Sequence, residues 1–183
     1  MKNSKSLLAA LVMASASFAA PTAFAADIST PPQALSLVGT SAFFGDAFAM
    51  NNNGDTFMDH FTFNVTGTLP TSIDAIVSSI SRTASTGLDI TGLSLYKAGG
   101  TMVTNGMMGS TGATDVWTLS ASSLAAGSYY LQVSGSLVSN TSGAFGGSVM
   151  LNPVPEPETY GMMLAGLGVV GLLARRRKSA NQA

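Results

Sequence analysis

Residues 57–65 alternate strictly, which places Phe57, Asp59, Phe61, Phe63 and Val65 on one face of a strand. Residues 88–97 alternate through Leu88 and Ile90, then through Leu93 and Leu95. The phase break at Gly92 predicts a bulge or bend. Residues 116–119 are short but strand-like, residues 130–134 alternate, and residues 145–151 read as a closing strand. In residues 73–81, Ile73, Ile76, Val77 and Ile80 fit helical spacing. The surrounding serines and threonines and the β-branched content favour a strand there. Turn chemistry falls between these runs: Asn53-Gly54-Asp55, Gly67, residues 97–100, Asn105-Gly106, Ala126-Gly127 and residues 140–143. Short strands at near-regular spacing predict an all-β fold, a jelly-roll-like β-sandwich body over residues 26–151. A body of that length buries one modest core without disulfides.

The two ends follow another pattern. Lys2 and Lys5 precede an apolar stretch over residues 7–20, then Pro21 and the small-residue site Ala23-Phe24-Ala25. This is the layout of a secretory signal peptide, residues 1–25, cut after Ala25. It fits an uncleaved anchor less well, because the apolar run is marginal for spanning. At the other end, Val154-Pro155-Glu156-Pro157-Glu158-Thr159 is stiff and acidic, and its prolines favour extended chain. Residues 160–174 are uncharged and mostly apolar. As a helix they would measure about 22 Å, against a hydrocarbon core of roughly 30 Å. Gly161, Gly166, Gly168 and Gly171 disfavour a helix in water but are common in membrane helices. Thr159 and Tyr160 suit one interface, and Arg175, Arg176, Arg177 and Lys178 hold the other end on the cytoplasmic side. A single C-terminal transmembrane helix over 160–174 is therefore expected, with a basic cluster at 175–178 and a tail at 179–183.

Composition narrows the chemistry. Charged residues make up 9% of the chain, against about 25% in an average soluble domain. The absence of cysteine excludes disulfides, zinc–thiolate and iron–sulfur sites and a cysteine nucleophile. Between residues 26 and 152 only Arg82 and Lys97 stand against seven aspartates. No basic footprint for nucleic acid exists, and no cofactor is expected.

Residues 152–178 resemble a PEP-CTERM protein-sorting domain. The resemblance rests on three features in order: Val154-Pro155-Glu156-Pro157-Glu158, the glycine-rich segment Met162-Met163-Leu164-Ala165-Gly166-Leu167-Gly168, and Arg175-Arg176-Arg177-Lys178. It implies recognition by an exosortase, a membrane-embedded transpeptidase-like enzyme, with Pro155, Glu156 and Pro157 as the recognised residues. It also implies export in a Gram-negative, exopolysaccharide-making bacterium, through an inner-membrane intermediate to the outer surface or matrix. The body is similar to the FxDxF subgroup of such proteins. Phe57-x-Asp59-x-Phe61, followed by Phe63, carries the motif. Phe44-x-Asp46-x-Phe48 has the same letters, but the first stands on the clearer strand and is preferred. The stretches around Trp117, Ala126–Gly135 and Phe145–Ser148 also fit. The resemblance supplies no molecular activity for the body.

Catalytic patterns are weak. His60 is the only histidine and lacks a Gly-x-Ser-x-Gly elbow. Seven scattered aspartates offer no selected pair for glycosidase chemistry. Asn51, Asn53 and Gly54 fit an EF-hand template, but Ala49 and His60 occupy its first and last ligand positions, so an ordinary Asn-Gly turn is favoured. Trp117, Tyr129 and Tyr130 could stack on sugars, although core packing is the better expectation, with Tyr129 and Tyr130 on opposite sheet faces. Asn64-Val65-Thr66 and Asn140-Thr141-Ser142 match the weak glycosylation tripeptide. Asp59, between two phenylalanines, must be hydrogen-bonded if that face is core. The expectation is a non-enzymatic exported surface or matrix protein associated with exopolysaccharide or biofilm. Its partners are signal peptidase and the secretion machinery, exosortase, and the membrane. A carbohydrate-binding module for the cell's own exopolysaccharide is the alternative, ahead of a secreted hydrolase.

Overall fold

The computed structural model describes residues 25–67, 70–80, 83, 85–154 and 157–180. Residues 1–24 of the expected signal peptide, and Pro155 and Glu156 of the sorting motif, lie outside the described residues.

Ten strands form two five-stranded sheets among the described residues. In chain order they are β1 (Gln33–Ala34), β2 (Ser41–Phe48), β3 (Thr56–Val65), β4 (Thr71–Ser79), β5 (Leu88–Lys97), β6 (Met102–Asn105), β7 (Met107–Ser110), β8 (Val116–Leu124), β9 (Gly127–Leu137) and β10 (Gly143–Pro153). One sheet runs β1-β3-β9-β5-β6, the other β2-β10-β4-β8-β7. Pairing is antiparallel except for β1 beside β3. The expected sandwich is present: the inward faces bury one cluster that includes Phe61, Ile73, Val77, Leu93, Leu95, Leu131 and Val133.

The reason is the period-two pattern. Along β3, Phe57, Asp59, Phe61, Phe63 and Val65 are all buried while their neighbours are not. In β4 the buried positions are Thr71, Ile73, Ala75, Val77 and Ser79, so the helical spacing there is incidental. Ile76 faces outward and Ile80 stands beyond the strand, 70% exposed. The phase break in β5 is a register shift between Ile90 and Gly92 against β9.

Asn105-Gly106 is not a turn. β6 pairs with β5 in one sheet and β7 with β8 in the other, so the chain crosses between sheets at Gly106. Gly106 N–H donates to the Leu93 carbonyl at 2.7 Å. A Cβ there would lie 2.8 Å from the Thr118 carbonyl oxygen and 2.9 Å from that of Leu93. Glycine is required by close approach at a corner, a need that a turn and a crossing share in sequence.

Beyond β10 a helix, α1 (Pro157–Ala180), covers the apolar run. Pro157 opens it, where a missing N–H costs nothing, and Glu158 in its first turn suits the dipole. The expected transmembrane helix over 160–174 is not found as a span: among the described residues no helix is long and apolar enough to cross a membrane. The uncharged run is bounded by Glu158 and Arg175, which keeps it short of the hydrocarbon thickness.

Candidate functional site: paired Phe-x-Asp-x-Phe strands and the sorting segment

The two Phe-x-Asp-x-Phe sequences are partners, not alternatives. One lies on β2 and one on β3, in opposite sheets. Across the sandwich Phe44 meets Phe61 at 4.9 Å between ring centroids, and Phe48 meets Phe57 at 4.6 Å. Phe145 from β10 stacks on Phe57 at 5.5 Å and 9°. Each motif also places its first ring over a glycine on the neighbouring strand. Phe57 is opposite Gly135, and Phe44 is opposite Gly147. A Cβ on Gly135 would stand 2.4 Å from the Phe57 ring, and one on Gly147 2.5 Å from the Phe44 ring.

The central aspartates meet through Thr30. Its hydroxyl lies 2.6 Å from Asp46 Oδ2 and 3.3 Å from Asp59 Oδ1, and its N–H donates to Asp59 Oδ1 at 2.8 Å. Thr30 thereby closes the seam between β2 and β3. Asp59 is 1% exposed, and its Oδ2 is buried with no hydrogen-bond partner. Burial pushes the Asp59 carboxyl above its ordinary value, and the negative charge of Asp46 adds to this. The Thr30 hydrogen bonds and His60 act in the opposite direction. On a face shared with Phe57 and Phe61, with one oxygen unpartnered, the charged form of the carboxyl is disfavoured.

A second buried aspartate, Asp115, gave no sequence signal. Its carboxylate accepts from Ser79 Oγ and from the N–H groups of Ile90 and Gly112, at 3.1–3.2 Å. It ties β4 to β5 across the core. Asp89 nearby is raised by partial burial and then by the Asp115 charge.

The remaining candidates have structural partners. His60 Nε2 is 3.2 Å from Gln132 Oε1, so its neighbour is an amide, not a serine hydroxyl. The Asn51–Asp55 segment is a turn, with Gly54 at φ +88° and Asp55 N–H donating to the Asn52 carbonyl. No group of three or more metal-ligating side chains occurs among the described residues. Trp117 Nε1–H donates to the Ile90 carbonyl at 2.9 Å, and Tyr129 is buried against Phe63. Tyr130 lies on the outer face, as the alternation requires. One of its faces stacks on Tyr96 at 5.1 Å and the ring of His60 lies 4.7 Å away. Tyr130, His60 and Thr62 also line a surface groove beside β1. Asn64 Oδ1 accepts from Ser128 Oγ.

The sorting segment is arranged differently. Val154 N–H donates to the Pro70 carbonyl, which fixes where the chain leaves β10. Every α1 side chain whose surroundings are described is exposed, including Met162 at 75% and Leu164 at 65%.

Residues 153–178 match the model of the PEP-CTERM protein-sorting motif. The motif indicates an exported protein sorted to the cell envelope, with an exosortase as its processing enzyme. Among solved structures the chain is similar to the pre-peptidase C-terminal domain of collagenase from Bacillus anthracis. The identity is 18% over 67% of this chain and 98% of that one, with a TM-score of 0.37. No curated protein matches the chain.

Proposed function

We propose that this protein is a non-enzymatic surface or matrix component of the FxDxF type, delivered in two stages. α1 first holds the sandwich at the cytoplasmic membrane, and an exosortase then cuts near Pro155-Glu156-Pro157 and releases it. The observation that carries this reading is an apolar helix whose described side chains all face solvent, joined to the motif match. Such a helix is stable in lipid or against a partner and unfavourable in water. Its apolar side chains can enter the membrane interface while the basic cluster stays at the headgroups, which suits temporary residence. The acidic character of the body, with Arg82 and Lys97 against seven aspartates between residues 26 and 152, is compatible with a hydrated polysaccharide matrix.

The test is fractionation of the full chain and of a variant lacking residues 155–178, in a host without exosortase. The full chain should remain with the membrane and the shortened chain should be released. Identical distribution of the two would refute the retention step.

A further inference from the structure

The chain that follows the expected signal cut is stitched along the free edge of β3. Thr56 N–H donates to the Ala26 carbonyl and Ile28 N–H to the Thr56 carbonyl, both at 2.9 Å. Met58 N–H donates to Ser29 Oγ at 2.7 Å, and Thr30 N–H reaches Asp59. β1 then continues the parallel pairing, with Leu35 N–H on the Thr62 carbonyl. The ladder's first rung is Ala26, the residue directly after the small-residue site Ala23-Phe24-Ala25. Its backbone nitrogen lies 2.8 Å from Asp55 Oδ1.

We propose that Asp55 is the receiving site for the new amino terminus made by signal-peptide removal. Water adds across the Ala25–Ala26 bond: its oxygen goes to the Ala25 carbonyl carbon, which becomes a carboxylate. The Ala26 nitrogen leaves as an amine and takes up a proton. A neutral amide hydrogen bond to Asp55 thereby becomes a charge-assisted ion pair at the same position. The turn that holds Asp55 is already formed: its N–H is on the Asn52 carbonyl and its own carbonyl accepts from Leu137 N–H. Asp27, one residue further on, adds a second negative charge. Its carboxylate is held low by hydrogen bonds from the Ser29 hydroxyl and N–H. Maturation thus pins the strand that covers the β3 edge, which would otherwise present unpaired backbone to other chains.

This inference rests on the export reading, and the experiment separates the two. The exported protein is purified from the envelope, its first residue is read by mass spectrometry, and its α-amine is labelled with an acylating reagent near pH 7. The first residue should be Ala26. Asp55→Asn should speed labelling about two- to five-fold, as loss of an exposed ion pair lowers the amine's pKa toward its ordinary value near 8. High salt on the unaltered protein should move its rate toward that of the variant, which keeps the test valid if the variant folds poorly. A first residue other than Ala26, or labelling indifferent to both Asp55→Asn and salt, overturns the ion pair while leaving export standing. A protein that retains residues 1–25 overturns both.

Discussion

Asp59 concentrates the energetics of the Phe-x-Asp-x-Phe pair. Oδ1 is well served by Thr30, while Oδ2 is bare inside the core. Its folded-state affinity for a proton exceeds that of the unfolded chain, whose value is the ordinary 3.8. The stability it lends is therefore complete below that pH and is lost as pH rises through the raised folded value. Asp59→Asn keeps an acceptor for Thr30 and removes the ionisation. Relative to the unaltered protein it should gain stability as pH rises from below 4 to neutral, whatever the fixed cost of its unpartnered amide N–H groups. Urea midpoints of both proteins at two pH values measure this. A gain that does not change with pH would show that ionisation is not the cost. Alternation alone revealed that Asp59 shares a face with phenylalanines. The orphan oxygen and the Thr30 bridge were not legible, because Thr30, Asp46 and Asp59 meet only once three separated segments fold together. Asp115 was hidden for the same reason: backbone N–H groups that satisfy a carboxylate leave no trace in sequence.

At the scale of elements, strands with one face in the core were the readable ones. β3, β5, β9 and β10 alternate cleanly, and even the Gly92 irregularity shows. β2 did not stand out as a strand, since Asp46 interrupts its apolar face and the exposed Phe43 beside Phe44 breaks the alternation. β6 and β7 are short, edge-lying and mostly exposed, so their pattern is weak. The pairing of β2 with β3 across the sheets depends on glycines as well as rings. Gly135→Ala or Gly147→Ala would drive a methyl into a phenylalanine and a backbone carbonyl: the Asp89 oxygen at 2.3 Å and the Ile76 oxygen at 2.4 Å. Each should cost about 2–3 kcal/mol of stability, within the range for overpacking with backbone shift. Gly146→Ala, with nothing within 4 Å, is the control and should stay within about 0.5 kcal/mol. Thermal or denaturant unfolding of the three variants checks this. Equal effects at all three positions would mean that the ring-over-glycine contacts are not what the strand pairs require.

For the whole molecule, the sandwich and the sorting segment differ in what they bury. The body buries its apolar residues between two sheets, with a seam closed by Thr30 and an edge covered by the chain after Ala25. α1 buries none of the side chains whose surroundings are described. The order of Pro-Glu-Pro, apolar run and cations was legible from sequence because each part is a local composition. The molecular task of the body was not, because most of its rings pack in the core and the outward ones, such as Phe43, Tyr96 and Tyr130, follow no pattern that names a ligand.

The decisive measurement for delivery in two stages is the mass of the mature protein taken from the surface or matrix of an exosortase-bearing host. Exosortase processing should leave a chain that ends near Pro155-Glu156-Pro157 and lacks Arg175 to Lys178. A native surface protein with those four cations still attached would contradict it.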